Sequence, residues 1–349
     1  MGWTVRDFAQ PCLRRAAAVG FASAGPVSED EDRRLRGWLA AGHHAGMAWI
    51  ERHADLRRNL DNVLPGTRTV ISLAFPYAPE RERPSDLPYL SRYAYGRDYH
   101  EAIRSVLTAV LEQTGILLSC RLCIDSAPVS ERFWAIRAGI GYRGDNGALI
   151  VPGIGPEVFL AEILTTIEFE PDIKFKSDRE FKSNIESDPD SPSNAEFQHS
   201  NAECLHCGAC RRACPTGALQ PDGTIDCRRC ISYLTIEHRG PWTDPDAIAA
   251  MRTPAGRTSL FGCDRCITAC PLRNDTPRPL RNDTVRPLLN DTVGAESWNP
   301  PLPAMLALTP ADIPAQQSEF RRRFAHTALL RPGLLNLLRN IANLDNQIK

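Results

Sequence analysis

The feature that most constrains this chain is a set of cysteines. Cys204-Leu-His-Cys207-Gly-Ala-Cys210-Arg-Arg-Ala-Cys214-Pro215 is answered downstream by Cys263-Asp-Arg-Cys266-Ile-Thr-Ala-Cys270-Pro271. Closely spaced thiolates wrap one corner of an iron–sulfur cubane, while the next cysteine, carried off by a helical turn and stopped by proline, is aimed at a different cluster. By that crossing Cys204, Cys207 and Cys210 are completed by Cys270, and Cys263 and Cys266 take Cys214 and one of Cys227 or Cys230. Eight ligands make two [4Fe–4S] clusters. A zinc ribbon closes on separated pairs and has no use for a run of four ending in Cys-Pro; a disulfide framework belongs to short secreted chains. The cluster region is therefore read as a ferredoxin-like α+β domain over 204–272.

Composition fits such a protein. The 349 residues suffice for two domains, 42% hydrophobic and 24% charged is ordinary for a soluble globular chain, and no apolar run approaches a membrane span. Of twelve cysteines, Cys12, Cys120 and Cys123 are scattered and read as buried thiols in a reducing compartment. Arg14-Arg15 ahead of Ala16–Gly25 faintly resembles a twin-arginine export signal. The apolar part is short, however, broken by glycine and followed at once by Glu29-Asp-Glu-Asp32. Phe8, Leu13, Ala16 and Ala17 suit instead one face of a helix entering a strand at Val19–Ala22. The expectation is a mature, cytoplasmic, monomeric protein. A net charge of −1 decides nothing about nucleic acid; only local clusters could.

Residues 1–166 read as an α/β domain, because apolar runs alternate with helical patterns. Ser28 with Glu31 makes a capping box ahead of Leu35, Trp38 and Leu39. Val70–Phe75 is a buried strand, Tyr99–Thr114 a helix, and Cys120–Asp125 a strand delivering a carboxylate at its end. Pro128 suits the first turn of a helix running through Trp134 to Gly139 or Gly141. Asp125 itself could be that helix's N-cap. The glycine-rich tract up to Phe159–Thr166 is either turns or a close approach to a large flat ligand.

Residues 167–203 turn polar and show no apolar face. In 273–298, Asn274-Asp-Thr276 returns as Asn282-Asp-Thr284 and Asn290-Asp-Thr292. Both read as surface loops. The segment 299–349 is helical and basic, with Arg321-Arg-Arg323, Arg331 and Arg339. With Arg211, Arg212, Arg228, Arg229 and Arg265 it frames a candidate phosphate track.

Two adjacent clusters make an electron wire, so covalent chemistry must lie in the first domain. Rossmann, Walker and metal-binding histidine motifs are missing from the sequence, and of the eight histidines only His53 and His100 stand in suggestive surroundings. Taken together, Arg92-Tyr-Ala-Tyr-Gly-Arg-Asp-Tyr-His100, Asp125-Ser-Ala-Pro-Val-Ser-Glu-Arg132, Ala138-Gly-Ile-Gly-Tyr142, the double cluster motif and Arg228-Arg-Cys-Ile-Ser-Tyr-Leu-Thr-Ile-Glu237 resemble the epoxyqueuosine reductases across nearly the whole chain. The resemblance implies a cobalamin-dependent enzyme with two [4Fe–4S] clusters, fed by an external electron donor, that reduces epoxyqueuosine to queuosine at the wobble position of tRNA. It assigns Cys230 as the eighth cluster ligand and Asp125 as proton donor. Cobalamin contacts carried over by position are Arg52, Ser91, Asp125, Asn146, Leu149 and Ser232. An exposed aspartate is ionised at neutral pH, so the role expects Asp125 to be kept protonated by burial or by an apolar cofactor face.

The chain departs from the family pattern at three places. Asp145 stands where a lysine is usual, Ala161 where a glycine is usual, and the C-terminal helical repeat of longer members stops soon after Asn340. Two other functions fit the same clusters: a reductive dehalogenase-like corrinoid reductase of a small molecule, or a non-enzymatic electron-transfer protein.

Overall fold

In the computed structural model, residue 12 and residues 16–169, 204–273, 288–289 and 298–345 are described. The expectations for residues 1–11, for most of 167–203 and for most of the Asn-Asp-Thr repeat lie outside them. Strands β1 (Ala18–Ser23) and β2 (Thr69–Pro76) pair antiparallel over their whole length. Strand β3 (Tyr89–Leu90) stands apart, and β4 (Cys120–Cys123) is followed by the hairpin of β5 (Tyr142–Arg143) and β6 (Leu149–Ile150) and by β7 (Val158–Thr165). After β8 (Ser259–Phe261), β9 (Leu288–Leu289) closes the sheet of order β4-β7-β2-β1-β9. Every pair in this sheet is antiparallel, so the alternation of strands and helices builds an antiparallel layer and not a parallel one. One piece of the repeat region, expected as loop, thus serves as the edge strand beside β1.

Helices cover both faces. Tyr99–Thr114 has the expected bounds, and its Ile103, Leu107 and Leu111 pack on Phe21, Ile71, Leu73 and Ile163. On the other face Trp134 and Ala138 meet Ala22, Val70, Cys123 and Leu164. The helix Glu131–Arg137 starts later than Pro128 suggests, with Ser130 at its N-cap position, so Asp125 caps no helix and stands free on the loop before it. The Ser28 hydroxyl accepts the Glu31 N–H at 3.3 Å and starts Glu29–Ala40 as expected.

Several contacts tie the sheet domain to the rest. Strand β3 runs parallel to β8, and the Trp38 indole donates to the Ile225 carbonyl at 2.8 Å. The C-terminal segment wraps β8: Phe320, Phe324, Leu329 and Leu337 join Leu90, Tyr95 and Phe261 in one core. Buried Asn340 donates to the Thr235 and Leu260 carbonyls, both at 2.9 Å. No helix among the described residues is long and apolar enough to cross a membrane.

Candidate functional site

The cysteines fall into two groups. Burial raises the Cys270 thiol, and Cys204, Cys207 and Cys210 face it closely enough to raise it further. Burial likewise raises Cys266, which then feels Cys230, Cys263 and Cys214. Burial pushes Cys263 up to about 12, with Cys230 adding to it. Cys227 faces only Cys230 among the cysteines. It is buried, and its thiol donates to the Ile225 carbonyl at 3.8 Å.

Local backbone explains the grouping. Gly208 takes φ +68° and turns the chain into the short helix Ala209–Ala213, which lifts Cys210 and Cys214 to opposite ends. Around the first group a hollow is lined by Asp145, Asn146, Cys204, Cys207, Cys210 and Cys270. The Asp145 N–H donates to the Cys204 sulfur at 3.4 Å. Backbone N–H groups of Leu219, Thr216 and Ala218 also support Cys214, outweighing the rise that burial causes. Four thiols about one hollow, with N–H donors aimed at sulfur, form a donor set that fits an iron–sulfur cubane. Zinc would need no second quartet interleaved with the first.

Asp264, between Cys263 and Cys266 in sequence, anchors the first domain to the second group. Its buried carboxylate accepts the Ser91 hydroxyl at 3.0 Å, the Tyr89 hydroxyl at 2.9 Å and the Arg92 N–H at 2.7 Å. Arg92 and Arg273 both pair with the buried Glu157 at 2.6 Å.

Asp125 sits at the end of β4 with φ +53°, a left-handed backbone that costs a non-glycine residue about 1 kcal/mol or more. The Glu131 carboxyl holds it there by accepting the Asp125 N–H at 2.6 Å. Water reaches 59% of the Asp125 side chain, yet protein surrounds it densely enough for desolvation to be the largest influence on its charge. Its carboxyl tip is open to water, while the protein around the rest of the side chain is dense. His100 Nε2 lies 3.3 Å from Asp125 Oδ2, and His100 Nδ1 lies 2.8 Å from Asp98 Oδ1. Asp98 also caps the helix Tyr99–Thr114, accepting the His100 N–H at 2.9 Å.

The electrostatics differ from the expectation of a protonated carboxyl. Burial alone would raise Asp125, but hydrogen bonds and charge from His100, a hydrogen bond from Tyr99 and the charge of Arg331 hold it below the usual carboxylate range. Burial would lower His100, and the two carboxylates overcome it and push the ring up to about 9. The transferable proton of the pair therefore sits on His100.

Tyr93 faces both Asp264 and Asp125, which places it between the second cysteine group and the acid. Opposite, Arg331 faces Asp125 and forks onto Glu237 at 2.7 and 3.0 Å, just beyond the helix Ile231–Ile236 that follows Cys230.

Of the other residues singled out in sequence, Arg52 is exposed at the end of Ala48–Arg52 and Ser232 is half-buried. Ser91 is fully buried with its hydroxyl committed to Asp264, and Leu149 is buried in β6. Buried Asn146 accepts the Ala148 N–H at 3.1 Å and donates to the Cys266 carbonyl at 3.5 Å. Asp145, the departure from a usual lysine, pairs with His206 at 2.9 Å beside the first cysteine group. Sequence reasoning missed Asp98, Asp264 and Glu162. Only Asp98 carried a signal, an aspartate two residues before His100 where a helix begins.

Two thiol quartets and a carboxylate–imidazole pair define the class of double-cluster iron–sulfur oxidoreductases, and a family model described as a 4Fe-4S double cluster binding domain matches residues 203–273. A second, described as epoxyqueuosine reductase QueG, DUF1730, matches residues 57–126. Epoxyqueuosine reductase of Gloeobacter violaceus is 36% identical over 257 residues, covering 72% of this chain and 70% of the relative. That of Escherichia coli is 33% identical over 279 residues, covering 76% and 65%. The chain belongs to the epoxyqueuosine reductase family. A crystal structure of an epoxyqueuosine reductase with an epoxyqueuosine-modified tRNA stem loop matches 97% of this chain and 80% of its own, at 26% identity and TM-score 0.68. The Bacillus subtilis enzyme, with its catalytic loop swung out of the active site, matches at 26% identity and TM-score 0.67, covering 97% and 80%.

Proposed function

We propose that this protein reduces the epoxide of epoxyqueuosine in tRNA to the alkene of queuosine, drawing electrons from an external donor. The observation that carries the reading is the presence of two four-thiol groups together with the Asp125–His100 pair, with Tyr93 feeling both Asp125 and Asp264 of the second group. In it Cys204, Cys207, Cys210 and Cys270 hold one [4Fe–4S] cluster, and Cys214, Cys230, Cys263 and Cys266 the other. Such clusters supply one-electron transfer.

The water-exposed side of Asp125 is the cleft that substrate and cofactor would share, and the family pattern makes that cofactor cobalamin. Arg52, Ser232 and Asp125 offer side chains to hold it. Ser91, Asn146 and Leu149 are buried and serve through backbone and shape. Cobalamin, when bound, supplies a metal centre that passes electrons on to the substrate.

The protein's own residues supply the proton. Asp98 orients the His100 ring, His100 stores the proton, and Asp125 presents it to the oxygen that leaves. Excluding water from the cleft weakens the case for two separated charges and favours moving the proton from imidazolium to carboxylate. The wobble nucleotide must be splayed from its loop to reach the floor.

Incubating the reduced, reconstituted protein with epoxyqueuosine-containing tRNA and analysing the nucleosides by mass spectrometry tests the reading. Loss of one oxygen from the modified nucleoside supports it. An unchanged nucleoside from protein carrying both clusters and cobalamin overturns it.

A further inference from the structure

Behind Asp125 the fold buries an acid that the steps above leave unused. Glu162 lies within β7, opposite Ser72 of β2 on one side and Cys123 of β4 on the other. Side chains alternate along a strand, so all three share the sheet face of Val70 and Leu164, beneath Trp134 of the helix Glu131–Arg137. Glu162 is fully buried, and neither of its carboxyl oxygens has a hydrogen-bond partner among the described residues. The Ser72 hydroxyl and the Trp134 indole N–H on this face are likewise buried and unpartnered. Natural cores keep few such groups, and those that persist mark internal water or a chemical role.

Glu131 joins this acid to Asp125. One of its oxygens accepts the Asp125 N–H at 2.6 Å, which leaves the other to carry a proton. Burial, then the charge of Asp125, pushes Glu131 up to about 8, although Arg132 and Arg57 face it and pull the other way. Burial and the neighbouring Glu131 raise Glu162 well above the carboxylate range, and Cys123 is the other titratable group that feels it. Both glutamates are thus shifted toward the neutral, protonated form.

We propose that buried Glu162 and half-buried Glu131 form a proton store behind Asp125 that supplies the second proton of the reduction. The inference rests on Asp125 and His100 acting as the first acid. In the balanced step, both C–O bonds of the epoxide break, the C=C bond forms, two electrons enter from the external reductant, and the oxygen leaves as water with two protons. His100 holds one of these. The first proton, from His100, turns the opened ring's alkoxide into a hydroxyl. The second is needed as that hydroxyl leaves; because departing hydroxide is a far stronger base than a carboxylate, drawing it from Glu131 through Asp125 is downhill, and Glu162 refills Glu131.

Infrared spectroscopy of the ligand-free protein at pH 7 should show a protonated-carboxyl band that weakens in Glu131→Gln and in Glu162→Gln and is lost in the double variant. Glutamine keeps the size of the side chain, and at position 131 it keeps the acceptor for the Asp125 N–H. In single turnover each variant should form queuosine about tenfold more slowly or worse. The fall in wild-type rate as pH passes about 8 should move in Glu131→Gln to about 9, where His100 loses its proton. Wild-type protein without the band, or variants with wild-type rate and pH profile, would overturn the store. Wild-type protein that makes no queuosine sinks the functional reading instead, since the band is read without substrate.

Discussion

His100 stands between two carboxylates, 2.8 Å from Asp98 and 3.3 Å from Asp125. Asp98 is the more shielded from solvent, with 27% of its side chain exposed against 59% for Asp125. One imidazolium thus serves an inner carboxylate that orients it and an outer one that faces the cleft.

Asp125→Ala should retain the iron of both clusters and lose turnover about a hundredfold or more even at saturating cobalamin, the usual cost of removing a general acid. Nucleoside mass spectrometry with iron analysis of the same sample checks this. Turnover equal to wild type would remove Asp125 from the chemistry.

The imidazolium pair sets a pH window. His100 has its pKa raised on folding, so its contribution to stability is complete below its ordinary 6.5 and disappears as pH rises through about 9. Asp98 and Asp125 have theirs lowered, so their share is present above the ordinary 3.8 and is lost as pH falls through the depressed values. Denaturant unfolding of the ligand-free protein should show an alkaline decline near 9, absent in His100→Gln. NMR titration of the His100 ring reports the same step directly.

Cys227→Ser should keep about eight irons, because its thiol is committed to the Ile225 carbonyl, whereas Cys230→Ser should lose about four. Iron and sulfide content with electron paramagnetic resonance distinguishes the two. Equal losses would mean that the cysteines share the role.

Asp264→Ala strips the acceptor from the Ser91 and Tyr89 hydroxyls and the Arg92 N–H. Stranding buried donors costs about 1–3 kcal/mol each, so a loss of about 3 kcal/mol is expected in urea unfolding. A change under about 0.5 kcal/mol, the range of surface substitutions, would mean that the loop at 89–92 is held by other contacts.

Arg321 and Arg322 are exposed on Gln317–Arg323, and neither has an acidic partner among the described residues, unlike Arg323, which pairs with Asp312 at 2.7 Å. Arg321→Ala should weaken tRNA stem-loop binding alike for all sequences and lower the salt slope by about 1. An unchanged slope would take the C-terminal segment out of the phosphate track.

The amino-acid sequence by itself determined the family and the cysteine motifs, because ligand spacing is a local property that needs no fold to be read. It also determined the helix Tyr99–Thr114, whose apolar period and following Gly115 are local too. The antiparallel pairing of the sheet and the recruitment of Leu288–Leu289 to its edge were illegible, since strand partners are chosen over long separations. So were the burial of Glu162 beneath Trp134, the place of Asp264, and the charge on Asp125. A carboxyl group's ionisation is set by what surrounds it in space, and here the tertiary fold alone brings His100, Tyr99 and Arg331 to Asp125.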